Sequence, residues 1–286
     1  MRFFNLSLIV LLIFGAFTSL FSQSKWKRDK EEQVVPKLEL FASSNAINLP
    51  TATTIKQGDF LYGIQHRWRQ PTSSGLEDLY GIDGSVVMRM KLGYAITDDV
   101  LIQVGRTNVN GTYDFEAKHN FLNIRSEAVP LTLAYNLGLT YLSKPSGNIE
   151  VNKFQYYGSL IANTMFLDDM LGVGTVATFM NNANPFWFEN ITTTNIGYYV
   201  QFYFNEMVSV NAEGSHVVNG WSEGYSTYSG SVELETGGHF FKFIVSNNTN
   251  IHLAGIFANA GAPLSIDANR NALDNVHLGF QISRNL

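Results

Sequence analysis

Residues 131–142 read Leu131-Thr132-Leu133-Ala134-Tyr135-Asn136-Leu137-Gly138-Leu139-Thr140-Tyr141-Leu142. From Leu131 to Tyr141 every second side chain is large and apolar, and the side chains between them are small or polar. A period of two places the two sets on opposite faces of an extended strand, whereas a helical period would scatter both. The same alternation sets Val86, Met88, Met90, Leu92 and Tyr94 against Ser85, Arg89, Lys91 and Gly93. It recurs in Ile196, Tyr198, Val200, Phe202 and Phe204, in Val208, Val210 and Ala212, and in Val276, Leu278, Phe280 and Ile282.

Two architectures bury an alternating strand. In a soluble sandwich the polar face meets water and is rich in Lys and Glu. Here the polar face is mostly Gly, Ser, Thr, Asn, Gln and Tyr, which suits a confined, hydrated barrel interior whose apolar face meets lipid. Composition agrees: 15% of the 286 residues are charged and 13% are aromatic, against roughly 25% charged in ordinary soluble domains. Tyr and Phe recur near the segment ends, where interfacial girdles belong. The expected fold is all-β, a transmembrane antiparallel up-and-down barrel.

Thirteen segments carry the pattern, at about 59–68, 84–95, 99–106, 112–121, 131–142, 154–164, 171–179, 195–205, 206–215, 227–236, 239–247, 251–258 and 275–284. Single-chain bacterial barrels have even strand numbers, with short turns at one end and longer loops at the other. Short connections (Thr97–Asp98, Leu167–Met170, Asn205–Glu206, Gly237–Gly238) alternate with long ones until 251–258 is counted as a strand. The expectation is therefore about twelve strands over residues 58–286, with Asn248–Asp274 a long external loop that folds inward or forms a local hairpin.

Ahead of the barrel, Arg2 and the apolar run Leu6–Phe17, followed by Thr18, Ser19 and Ser22, read as a signal peptide over residues 1–22. That export signal and the lipid-facing strands place the protein in the cell outer membrane, with lipid and the barrel-assembly machinery as partners. Residues 23–57 lack alternation and are read as a periplasmic extension or a plug segment entering the lumen. The chain has no Cys, which removes disulfides, thiolate metal sites, cysteine nucleophiles and a lipid-modified N-terminal Cys. A net charge of -5 disfavours nucleic acid as a partner.

The chain resembles the DUF5777 membrane-bound β-barrel family of Bacteroidetes outer-membrane proteins. The resemblance runs from about Phe41 to the C-terminus. It is carried by His66-Arg67-Trp68, Tyr80-Gly81-Ile82-Asp83, Gly105-Arg106, Lys118 and Pro130, then by His239-Phe240-Phe241 with Ser246-Asn247, and finally by Gly279-Phe280-Gln281-Ile282-Ser283-Arg284. Ile82 stands where the family looks more like Leu, and Leu286 replaces a terminal Phe. The resemblance implies a barrel and a membrane location, without an activity.

Candidate sites follow from topology. His66, Arg67, Asp83 and Arg106 are expected at one level of the external rim, where a bidentate Arg–Asp contact would pin the first loop; rim solvation is the alternative. Arg67, Arg89, Lys91, Glu213, Glu233, Glu235 and Lys242 lie on polar faces and are read as a salt-bridge ladder across the lumen or as a field selecting charged solutes. On the lipid face each would cost about 2–4 kcal/mol at mid-membrane. Phe186, Trp187 and Phe188 form an aromatic external loop. Ser215, His216 and Ser226 are the rim residues a lipid hydrolase would need, without the spacing of a known site. Six dispersed His form no metal motif, so no catalytic, metal or cofactor residues are assigned. The functional expectation is a narrow channel or small-solute binding barrel, with a non-conducting docking barrel for a periplasmic or surface partner as the alternative.

Overall fold

A computed structural model describes residues 38–126, 129–145, 152–187, 189–264 and 272–286. Residues 1–22, read from the sequence as a signal peptide, residues 23–37 and Phe188 lie outside the described residues. Twelve strands form one closed barrel: β1 (Phe60–Trp68), β2 (Val86–Thr97), β3 (Val100–Thr107), β4 (Thr112–Ile124), β5 (Leu131–Leu142), β6 (Phe154–Phe166), β7 (Leu171–Asn181), β8 (Thr193–Tyr203), β9 (Val208–Asn219), β10 (Thr227–Thr236), β11 (His239–Ser246) and β12 (His277–Asn285). Each strand pairs antiparallel with the next, and β1 closes on β12 from Leu61↔Asn285 to Arg67↔Gly279. No helix among the described residues is long and apolar enough to cross a membrane; the strands do the crossing.

Burial alternates along most of each strand and is inverted relative to a soluble protein. Arg89, Lys91, Asp114, Glu116, Lys118, Glu213, Glu233 and Lys242 are buried, while Met90, Leu92, Ile102, Phe115, Leu160, Val200 and Phe243 are exposed, Phe243 by 63%. Large apolar side chains accessible all round the outside and charges sealed within fit a barrel whose outer solvent is hydrocarbon.

The segment 251–258 is not a strand. Its centre is a short helix, α1 (Leu253–Phe257), and Ile251, Leu253, Ala254, Gly255, Ile256 and Phe257 are all buried. A run buried on every side has no lipid face, so the long β11–β12 connection turns into the lumen, and the even strand count stands. One turn also lies away from its expected place. Asn205 Oδ1 accepts from the backbone N–H of Met207 (2.8 Å) and Val208 (2.9 Å), and this side-chain turn takes up residues 204–207 between β8 and β9.

Of the stretch 23–57, residues 38–57 are described, and they lie within the barrel. The chain folds into a hairpin inside the barrel, with Asn45 bridged to Pro50 and Ala46 N–H donating to Leu49 O at 2.9 Å. Ala46, Ile47 and Leu49 are fully buried at its tip. The hairpin returns to the short-turn end, where Gln57 N–H donates to Asp98 Oδ1 (2.7 Å) and Gly58 N–H to Ala95 O (3.0 Å). One side of the lumen is apolar: Tyr157, Ile161 and Met165 of β6, Val176 and Met180 of β7, and Tyr199 of β8 pack with Phe41 and Leu49 of the hairpin and with Leu253, Ile256 and Phe257 of α1. The other side carries the charges.

Candidate functional site

The charged side of the lumen is built by parity. Inward positions of β1, β2, β4, β9, β10 and β11 are occupied by Arg67, Arg89 and Lys91, Asp114 with Glu116 and Lys118, Glu213, Glu233, and Lys242, all buried. Most of these groups point at the hairpin. Glu213 Oε2 accepts from three successive backbone N–H groups, Ile47 (3.2 Å), Asn48 (2.9 Å) and Leu49 (3.1 Å), and Oε1 accepts from Asn48 Nδ2 (2.5 Å). A carboxylate in a concavity of consecutive amides is a strong, charge-assisted arrangement.

The carbonyls of the hairpin are met by ammonium groups. Lys118 Nζ donates to Ser44 O and Thr51 O, both at 2.9 Å, across the two arms. Lys242 Nζ donates to Asn45 O (2.6 Å) and to Ala46 O while pairing with Glu233 at 2.7 Å, and Glu233 is its cross-strand register partner. Lys91 Nζ donates to Asn45 Oδ1 (2.8 Å). On the apolar side, Asn163 Oδ1 accepts from Ala52 N–H (2.7 Å) and Asn163 Nδ2 donates to the Tyr199 hydroxyl (2.6 Å), which itself donates to Pro50 O (3.1 Å). Tyr199 lies across its register partner Gly174, and a Cβ there would overlap the ring.

Arg67 joins the hairpin to the loop insert. Its Nη2 donates to Asn48 Oδ1 (3.2 Å) and its Nη1 to Asn248 O (3.0 Å). The carbonyl of Phe257 at the end of α1 accepts from Asn195 Nδ2 (3.1 Å), and Ser215 Oγ reaches Asn195 Oδ1 (3.0 Å) and Ile256 O (3.4 Å). Arg89 closes instead on the wall itself, pairing with Asp114 and with Glu116 (3.0 Å) and donating to Gln65 Oε1 (3.0 Å).

The expected rim pairing does not form. Arg67 faces inward and is spent on Asn48 and Asn248, while Asp83 is exposed in the first loop. His66, one residue away, must point outward and stacks on Phe280 at 4.5 Å. Arg106 is also outward, its guanidinium 5.4 Å above the Tyr113 ring and Nε donating to the Tyr113 hydroxyl (3.2 Å). With Arg67 on one face of the sheet, His66 and Arg106 on the other and Asp83 in a loop, the four do not converge. Of the expected lumen ladder, Glu233–Lys242 forms a rung and Arg89 pairs with Asp114 and Glu116, while Arg67, Lys91 and Glu213 turn to the hairpin; Glu235 is half-buried near the end of β10, in register with Phe240. Trp187 packs edge-on against Trp221 at 5.4 Å, and Phe186 lines the same loop cluster. Ser215 faces the lumen, whereas His216 and Ser226 meet at 2.7 Å on the exposed outer surface, so these three residues are divided by the wall.

Sequence reasoning passed over Asp114 and Glu116, although Thr112, Asp114, Glu116 and Lys118 fall on one face by the same period of two. It also left the hairpin undecided. A usable signal was present: residues 40–55 contain no charged side chain, as a segment wholly enclosed by a charged wall requires.

The matching family model, described as a membrane-bound β-barrel domain, covers residues 41–286. This chain belongs to that family, DUF5777. The matched stretch starts at Phe41, so the lumen hairpin is part of the family's domain and not an appendage. The protein is thus a membrane-bound barrel with a hairpin of its own chain inside the lumen. No curated protein matches the sequence. Among solved structures, the NanC porin is similar over 78% of this chain and 97% of its own at 9% identity and a TM-score of 0.47. The KdgM porin is similar over 79% and 97% at 9% identity and 0.45. An outer membrane channel from Pseudomonas putida F1 is similar over 82% and 98% at 9% identity and 0.46.

Proposed function

We propose that this protein is a gated channel of the outer membrane, closed in the conformation described, which passes small polar solutes when its lumen inserts withdraw. The observation that carries this reading is the source of the filling. A twelve-stranded wall encloses more space than its own side chains fill, and here the space is occupied by two chain segments, the 38–57 hairpin and the α1 loop, laid against a wall that is polar and charged over most of its circumference. A barrel serving only as a rigid anchor gains nothing from a hydrophilic wall. With the inserts displaced, the exposed surface is that of an aqueous passage rather than of a core.

Planar-bilayer recording tests the proposal. Wild-type protein is expected to be silent or to open rarely. A Glu213→Ala, Lys118→Ala double variant, which loosens the hairpin, is expected to open persistently while keeping the heat-modifiable gel migration of a folded barrel. A double variant that folds yet stays silent in every salt would sink the channel reading. It would favour the second one, a non-conducting barrel that presents its loops or N-terminal stretch to a partner, for which the sealed lumen is the supporting observation.

A further inference from the structure

Above α1, at the end of the barrel that carries the long loops, lies a cavity of about 300 Å³, at the lower end of the range for small-ligand sites. It is separate from the hairpin clamp and is walled by four connections, those after β3, β7, β9 and β11. Two aromatic rings, Phe186 and Trp221, line it, and Trp221 is braced edge-on by Trp187. Its polar side-chain lining is made mostly of amides, with His252, the Thr112 hydroxyl and one carboxylate, Glu223. No Lys or Arg lines it among the described residues.

Two of the lining groups are unsatisfied. Asn259 is 7% exposed and its Oδ1 has no hydrogen-bond partner; His252 Nδ1 has none either. A buried polar atom without a partner costs about 1–3 kcal/mol, so two at one cavity mark a place where something else completes the bonding. Burial pushes the His252 imidazole down to about 4, with Asp114 opposing the shift and Arg89 reinforcing it. The ring is therefore neutral and offers one donor and one acceptor. Gly255 keeps the floor open: a Cβ there would stand 2.8 Å from Asn250 Cβ and 3.0 Å from His252 Cε1.

A solute matching this lining carries groups that both donate and accept hydrogen bonds, has an apolar face for a ring to cover, and bears no negative charge. Hydroxyl groups donate and accept at one atom, and the C–H face of a pyranose is an apolar surface for an aromatic ring. We infer that this cavity is a binding site for a neutral saccharide of about one sugar unit, held by Asn259, His252 and Asn250 and stacked on Trp221 or Phe186. The site goes beyond the channel reading and does not depend on it, because binding is expected in the closed barrel.

The test is tryptophan fluorescence of the full-length barrel in a detergent without a sugar headgroup, titrated with glucose, with glucuronate and with glucosamine. Glucose is expected to give a saturable change, and glucuronate to bind at least about tenfold more weakly for want of a cation. Asn259→Gly removes the orphan acceptor, and glycine tolerates the φ of 77° found at this residue. That variant is expected to weaken glucose about five- to tenfold, as loss of one buried hydrogen bond does, with unchanged heat-modifiable migration. Trp221→Phe should diminish the signal itself. Absence of saturation with glucose, equal affinity in Asn259→Gly, glucuronate binding as tightly as glucose, or a response to glucosamine alone would each overturn the assignment. None of these measurements requires conductance, so their failure and a failure of the channel reading are separate results.

Discussion

Replacing Glu213 by Ala should release the hairpin without unfolding the barrel. The carboxylate accepts from the N–H groups of Ile47, Asn48 and Leu49 and from Asn48 Nδ2, and all four donors belong to fully or almost fully buried residues. A hydrogen bond to a charged acceptor contributes about 1.5–3 kcal/mol net, and each donor left dry costs about 1–3 kcal/mol. Water entering the space vacated by the side chain satisfies some of the four, so a loss of about 3 kcal/mol in hairpin docking is a moderate figure. At about 1.4 kcal/mol per decade this is roughly a hundredfold shift toward the undocked state. Strand pairing of β9 with β8 and β10 does not involve the side chain, so the barrel persists. Because the chain has no Cys, Ala46→Cys supplies a single reporter at the fully buried tip. A membrane-impermeant maleimide should label it slowly in the parent and about a hundredfold faster when Glu213→Ala is added. Equal labelling rates in two barrels that both migrate as folded would refute the claim that this carboxylate holds the hairpin.

Gly174→Val should force Tyr199 off its perch and break its contact with Pro50 O, raising labelling at the same reporter while Gly230→Val, where a Cβ meets nothing closer than 3.5 Å, leaves it unchanged. Lys118→Met keeps the length of the side chain but strips Ser44 O and Thr51 O of their ammonium donor; limited proteolysis within residues 43–52 should accelerate about tenfold, on the basis of roughly 1–2 kcal/mol lost. The α1 loop should loosen in acid. His252 titrates near its ordinary 6.5 when free and near 4 when enclosed, so the enclosed form is fully favoured above pH 6.5 and loses stability as pH falls from there to about 4, by at most tenfold per pH unit. Labelling of an Ala258→Cys reporter should follow that window, and a His252→Gln background should flatten it.

The barrel was legible because its rule is one-dimensional. A period of two, a lipid-facing set of large side chains and an even strand count depend only on local order along the chain, and they excluded 251–258 as a strand although Ile251–Phe257 is as apolar as the true strands. The contents of the lumen were not legible in the same way. Which acceptor Arg67 finds depends on whether a segment far away in the chain is threaded beside it, and period-two parity says only that the guanidinium turns inward. The same parity, applied to neighbours, was enough to show that His66 and Arg67 cannot serve one rim site. The residues that define the clamp, Asn45, Asn48 and the amides of Ile47–Leu49, carry no charge and no motif. Their role is set by backbone groups, which every sequence possesses and none displays.

The partners chosen for those backbone groups follow from the size of the barrel. A hairpin inside a barrel is not part of the sheet, so few of its N–H and C=O groups have a ladder to join, and each must be met by the wall. The wall is fixed at the radius that twelve strands impose, and short hydroxyl and amide side chains span the gap only where the hairpin leans close, as at Asn163 with Ala52. Elsewhere the gap is crossed by Lys91, Lys118, Lys242, Arg67 and Glu213, the long side chains, whose charge also makes each bond stronger than a neutral one. The inward cations are therefore distributed more by the needs of the hairpin than by mutual pairing: four of the five named here reach the hairpin, Lys242 pairing with Glu233 of the wall as well, and Arg89 alone has all its partners on the wall. A wall designed for a permanently solid interior needs apolar side chains of the right volume, such as β6 and β7 supply. A wall that holds its filling by hydrogen bonds to water-compatible groups can also be rehydrated when the filling leaves.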